Sequence, residues 1–320
     1  MKVNPFAQQI GQSRAIQLLQ QAIRRDRIAP AYLFVGSDGI GRSMAARGFG
    51  ELLISKVASS KEKYLNQRQR LLAGNHPDFL WVQPTYNHQG KLLTASEAAA
   101  AGLKRRGSPQ IRIEQIRILS QFLSRPPLEA SRSVAVIEDA QKMVEPAANA
   151  LLKTLEEPGR GTIILIALDP VSLLPTLVSR CQLIPFTTLG EEDLKRVLRQ
   201  MGEEEIIAHR ELLAMAEGSP GKAILAYNAI KAIGSELLHQ LTQPPKNPRH
   251  ALELAKQIDK ELDNEHQLWL IDYLQYCYWQ KWHLRSLMEH LEHTKKLLLS
   301  YVQPRLTWEC TLLRIANPNL

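Results

Sequence analysis

The stretch VAVIEDAQKMVEPAANALLKTLEE, Val134 to Glu157, decides the fold. Val134 to Ile137 is a short apolar, β-branched run without alternation, the pattern of a strand buried on both faces of a parallel sheet. Two acids end it, so Glu138 and Asp139 fall at a strand's carboxyl edge, where open α/β sheets place ligands and metal ions. Glu145 to Glu157 reads as a helix begun by Pro146, with Ala150, Leu151 and Leu155 at helical spacing and Glu-Glu-Pro at its end. Thr162 to Leu168 is a second apolar run returning to the sheet, and Ser179-Arg180-Cys181 stands where the chain leaves it again.

Upstream, residues 4 to 28 carry Ile10, Ala15, Leu18, Leu19, Ala22 and Ile23 at the spacing of an amphipathic helix, stopped by Pro30. Ala31 to Val35 is a compact strand signal leading into Gly36-Ser-Asp-Gly-Ile-Gly-Arg-Ser43 and a helix over Met44 to Ile54. Strand, glycine turn and helix start are the context in which backbone amides converge on phosphate, and Gly36, Gly39, Gly41, Arg42 and Ser43 fit a P-loop in spacing. Arg42, however, occupies the position of the phosphate-reaching lysine, and its planar fork is not a compact point charge. Two readings stand: a nucleotide loop, or glycines that merely keep a tight turn.

Ser55 to Gly74 is charged and helical, and Phe79 to Val82 is a strand. His76 and His88 read as loop residues, since no Cys or acid accompanies them at ligand spacing. Residues 84 to 109 form a surface insertion with a basic Lys104-Arg105-Arg106-Gly107. Ile111 to Leu123 is an amphipathic helix, Asp169-Pro170 starts a short helix leading to Leu177, and Leu183 to Phe186 is a further strand. This alternation implies one α/β domain with a mostly parallel sheet over residues 1 to 187. Beyond it the pattern is helical only: Glu191 to Met201, Ile206 to Ala216 and Lys222 to Ile233 form a three-helix domain over 188 to 234. A helical domain then fills 235 to 320, with Trp269, Tyr273, Tyr276, Trp279 and Trp282 on apolar faces that suit a bundle core or a subunit interface.

Composition excludes more than it assigns. Forty Lys and Arg against 32 Asp and Glu give +8, a bias that permits contact with polyanions. Cys181, Cys277 and Cys310 offer neither a disulfide framework nor a metal set and suit a reducing cytoplasm. The sequence has no run of apolar residues long enough to span a membrane and no secretory pattern.

Residues 31 to 43, the acidic strand end at 134 to 139, Ala148-Asn-Ala-Leu-Leu-Lys-Thr-Leu-Glu-Glu-Pro158 and Ser179-Arg-Cys181 together resemble the clamp-loader group of AAA+ proteins over essentially the whole chain. The resemblance implies an AAA+ P-loop-type base, a three-helix lid and a helical collar for oligomerisation; Leu306 to Ile315 resembles the final collar helix. The departures carry as much meaning. Active members end the strand in Asp then Glu, for Mg²⁺ and the attacking water, whereas this chain has Glu138 then Asp139. Ala167-Leu168 stands where a sensor threonine is expected, and Arg42 replaces the lysine. The resemblance therefore implies a subunit that does not hydrolyse ATP, requires no cofactor and leaves ATP or ADP binding open; the missing cysteines argue against structural zinc.

By the same resemblance Arg180 is a trans arginine finger serving ATP on a neighbouring subunit, with pairing to a local acid such as Asp169 or Glu157 as the bland alternative. Implied partners are the clamp-loader gamma/tau and delta subunits, the beta sliding clamp and primed DNA, in the ATP-driven loader of the polymerase III holoenzyme. An active motor-type ATPase and an inert scaffold are the competing readings. No polymerase active site is indicated.

Overall fold

The computed structural model describes residues 4–55, 60–102, 108–157, 159–300 and 302–317. Two compact units divide the chain, Met1–Val197 and Leu198–Leu320.

The first unit is built on β1 (Ala31–Val35), β2 (Phe79–Val82), the hairpin strands β3 (Tyr86–His88) and β4 (Lys91–Leu93), β5 (Ser133–Ile137), β6 (Gly161–Ala167) and β7 (Gln182–Pro185). Its helices are α1 (Ser13–Arg24), α2 (Arg42–Ser55), α3 (Lys61–Leu72), α4 (Ala95–Ala100), α5 (Ile113–Ser124), α6 (Glu145–Glu156), α7 (Pro175–Val178) and the start of α8 (Glu191–Met201). The main sheet runs β2-β5-β6-β1-β7, every neighbouring pair parallel. Strands β1, β5 and β6 are buried along their whole length, as unalternated apolar runs require. The pleat sorts them by alternate residues. Leu33, Ala135, Ile163 and Leu165 face Ile116 and Leu119 of α5 and Leu151 of α6 in one core. Tyr32, Phe34, Val136 and Ile164 share the other with Leu19 of α1, Phe49 of α2 and Leu71 of α3.

Two clasps outside the sheet hold this frame. Buried Asp78 accepts the backbone N–H groups of Leu128, Glu129 and Ala130 at 2.7, 2.8 and 2.7 Å, tying the segment that leads into β5 to the start of β2. The insertion closes on itself at its base. Thr85 and Gln110 exchange both backbone hydrogen bonds, at 2.9 and 3.0 Å, and Arg112 reaches back to the Thr85 carbonyl at 2.8 Å. The basic Lys104 to Gly107 lies outside the described residues.

The second unit continues α8 into a 3₁₀ turn over Glu204–Ala208, then α9 (Arg210–Ala216), α10 (Pro220–Ile233), α11 (Ser235–Leu241), α12 (Pro248–Glu261), α13 (Asn264–Trp282), α14 (Arg285–Leu299) and α15 (Pro304–Ala316). Leu254, Ile258, Leu270, Leu274, Tyr278, Leu291, Trp308 and Leu312 form its core. The Trp308 indole donates to Gln267 Oε1 at 2.9 Å, and Gln267 Nε2 donates to the Leu262 carbonyl at 2.9 Å, so two buried polar side chains are matched.

Several boundaries differ from the sequence reading. The first helix is confined to Ser13–Arg24. Asp169 does not begin a helix: its carboxylate accepts the Ser172 N–H at 2.6 Å in a turn, and α7 starts only at Pro175. The helix expected over Ile206 to Ala216 is broken at His209, whose ψ of 85° lies outside the helical region. His88 lies in β3, not in a loop.

Candidate nucleotide loop and arginine edge

The loop between β1 and α2 keeps the backbone of a phosphate cradle. Gly36, Gly39 and Gly41 have φ of 151°, 72° and 97°, the region that disfavours side chains. A Cβ on Gly36 would also stand 2.6 Å from the Phe186 carbonyl oxygen. Side-chain amides fasten the loop from outside. Gln9 Nε2 donates to the Gly41 carbonyl at 2.9 Å, and buried Gln12 donates to the Ile40 carbonyl at 3.4 Å and to the Thr187 carbonyl at 2.7 Å while accepting the Thr187 N–H at 3.2 Å.

The polar groups that would face a nucleotide are matched to one another. Arg42 is only 5% exposed; its guanidinium donates to the Ala167 carbonyl at the end of β6 and to the Asp38 carboxylate within the loop. The Ser43 hydroxyl donates to Glu138 Oε1 at 2.6 Å. Glu138 Oε2 receives Trp81 Nε1 and Gln83 Nε2, both at 2.8 Å, from β2 and the residue just beyond it. The Arg47 guanidinium sits 4.2 Å above the Trp81 ring, holding that indole from its other side. Asp139 lies in the left-handed region at φ 50°, and its carboxylate pairs with Lys142 at 2.8 Å and accepts from Gln141 at 3.3 Å.

These residues do not fit Mg²⁺ and a triphosphate as they stand. The loop cation is bound to a backbone carbonyl and a carboxylate, and the hydroxyl that would coordinate metal is committed to Glu138. Ala167 and Leu168 contribute carbonyls only, to Arg42 and to the Gly36 N–H at 3.1 Å.

Arg180 belongs to a separate edge. It follows α7, donates to the Thr176 carbonyl at 3.0 Å and pairs with Glu156 at 2.8 Å, near the end of α6. The acid is thus neither Asp169 nor Glu157. Ser179, itself exposed, donates to the Thr176 carbonyl at 3.1 Å, and burial pushes the Cys181 thiol up to about 12, which keeps it protonated and unreactive. The Arg180–Glu156 side chains are 39% and 53% exposed, so the pair is worth about 0–1 kcal/mol and opens readily. Among the described residues no hydrogen bond or ion pair joins Arg180 to the glycine loop.

Sequence reasoning missed Trp81, Gln83, Asp38 and Glu156. Asp38 stands four residues before Arg42 and was readable as a pair; the others depend on strand order and helix phase.

Residues 11–190 match the family model described as DNA polymerase III, delta subunit, and residues 192–315 match that of the cyanobacterial DNA polymerase III delta prime, C-terminal domain. A DNA polymerase III subunit delta' of Bacillus subtilis is 33% identical over 67% of this chain and 58% of its own length. One from Pseudomonas aeruginosa is 35% identical over 61% of this chain and 55% of its own length. The match thus spans little more than half of either relative. A DNA polymerase III, gamma subunit-related protein of Thermotoga maritima shares the fold, at 16% identity and a TM-score of 0.53 over 95% of this chain and 98% of its own.

Proposed function

The chain belongs to the delta-prime family of DNA polymerase III subunits, AAA+ proteins of the clamp-loader kind, and on that premise we propose that it is a non-hydrolysing subunit of a clamp loader, supporting ATP-dependent placement of the sliding clamp on primed DNA. The observation that carries the reading is Arg42: a buried guanidinium bonded to Ala167 and Asp38 takes the place of the lysine that an ATPase needs free for phosphate. Glu138, held by Ser43, Trp81 and Gln83, points the same way. Neither ATP nor ADP is required by this subunit, and its own residues hold none of the reaction.

In this proposal the chain's contribution lies at Arg180. A guanidinium held by an exposed carboxylate and a backbone carbonyl is exchangeable, and a phosphoryl oxygen of a neighbouring subunit's ATP is a stronger acceptor. The partners would be the gamma/tau and delta subunits, with the beta clamp and primed DNA engaged by the assembled loader in the cytoplasm. DNA contact would be to backbone phosphate and sensitive to salt.

The test is the ATPase activity of a loader reconstituted with Arg180→Ala. Removing an arginine finger lowers turnover by about 10³-fold where one finger serves each site, so the site facing this subunit should fall silent while assembly persists on gel filtration. Unchanged activity in an intact assembly would leave an inert scaffold as the better description. Micromolar nucleotide binding by the isolated chain would restore the ATPase reading.

A further inference from the structure

Within the second unit, α9, α10, α11 and α13 enclose a cleft of about 850 Å³ that the proposed role does not use. Its origin is local. Gly234 ends α10 at φ 83°, where an added Cβ would meet nothing within 4 Å, and the chain turns there into α11. Helix α11 runs for only seven residues, α9 likewise ends after seven with Glu217 at φ 50°, and between them one flank of α13 stays partly exposed.

The floor is apolar. Leu212, Leu238, Tyr273 and Cys277 lie buried beneath it, and half-buried Ile230 and Tyr276 are the apolar side chains it presents. The rim carries two cations, Arg210 and Lys281, and one acid, Glu211, with the rings of His209 and His239 beside them. Lys281 donates to the Thr242 carbonyl at 3.2 Å and lies 5.7 Å over the Trp282 ring, with no carboxylate paired to it among the described residues. Among the described residues neither Arg210 nor His239 has an ion pair or side-chain hydrogen bond.

We propose that this cleft docks an acidic amphipathic helix of a partner protein, apolar residues on the floor and carboxylates against Arg210 and Lys281. The volume is in the range of small-molecule pockets, ~300–1,000 Å³, but those enclose their ligands. Here the rim residues are exposed and one side is open to water, which suits a helix laid in a groove by one face. Single-stranded nucleic acid fits less well. Its bases stack on a succession of aromatic faces, and of the two lining tyrosines Tyr273 is buried and already stacked on Trp269, centroids 5.2 Å apart at 18°, which leaves the single ring of Tyr276. Charge complementarity at such a rim governs partner choice and association rate. The inference stands apart from the arginine finger.

The probe is a fluorescein-labelled synthetic helix with leucines on one face and glutamates on the other, titrated with the intact chain and read by anisotropy. Controls are the same helix with glutamine for glutamate, and oligothymidylate. The acidic helix should bind, and the glutamine helix should bind about tenfold more weakly. The double variant Arg210→Glu/Lys281→Glu should weaken the acidic helix by about tenfold or more and reverse the preference between helices. Both substituted positions are exposed, and an unchanged melting curve verifies the fold. The proposal is overturned if the acidic helix does not bind, if charge reversal leaves its affinity intact, or if oligothymidylate binds in its place.

Discussion

Arg42→Lys restores the residue type of a working phosphate loop, and the surrounding contacts say it should not restore the site. One ammonium cannot span the Ala167 carbonyl and the Asp38 carboxylate as the guanidinium fork does. A charged hydrogen bond to a buried carbonyl contributes about 1.5–3 kcal/mol. The Asp38 arm adds little, about 0–1 kcal/mol, because Asp38 is 60% exposed. The loss should therefore be about 1.5–4 kcal/mol. For a unit of this size each kcal/mol moves the melting temperature by about 2–4 °C, so calorimetry should register a fall of roughly 3–16 °C. The new lysine gains no metal partner, since Ser43 stays bonded to Glu138 at 2.6 Å, and titration with Mg·ATP should give a Kd no tighter than about 1 mM. An unchanged melting temperature would show that the guanidinium contacts contribute nothing. Micromolar ATP binding would refute the idea that the whole network, and not one side chain, closes the site.

Asp78→Ala strands the N–H groups of Leu128, Glu129 and Ala130 and should cost about 3 kcal/mol or more in urea unfolding; a loss below about 1 kcal/mol would mean water replaces the carboxylate. Burial holds the His76 imidazole below its ordinary 6.5, and its Nδ1 accepts the Asp78 N–H at 3.1 Å. As pH falls the unfolded chain takes that proton first, so the His76 contribution is whole above about 6.5 and declines below it. Melting temperatures across this interval should flatten in His76→Gln, and an equally steep decline would discard the assignment. Iodoacetamide should modify exposed Cys310 well before Cys181, whose thiol burial pushes up to about 12; mass spectrometry showing equal rates would contradict the packing of that turn.

Sequence legibility follows the range of the interactions. Ala31–Val35 and Phe79–Val82 were readable to the residue because apolar runs bounded by turn formers need no partner to declare themselves. The glycine loop, the acidic strand end and Arg180 were likewise local patterns. The closure of the loop was not. Arg42 finds Ala167 only because β1 and β6 pair in the register that sets Val35 beside Ala167, and Glu138 finds Trp81 only because β2 borders β5. Helix phase set the limit at Glu156, since one residue's rotation separates it from Glu157. In α13 the aromatic residues occur on several faces, so periodicity could not choose among them. Trp279 is 47% exposed while Tyr278 is buried, and the central tryptophan is Trp308, two helices later.

The paired bonds at Thr85 and Gln110 make the intervening segment an appendage with its own doorway. Its ends are fixed to each other and to Arg112 before the chain returns to α5, so residues gained or lost beyond the doorway do not shift the register of β2 against β5. Added length there costs only loop entropy, roughly 0.6 kcal/mol per doubling. A change of length or charge in that segment would leave the arginine edge and the closed loop as they are.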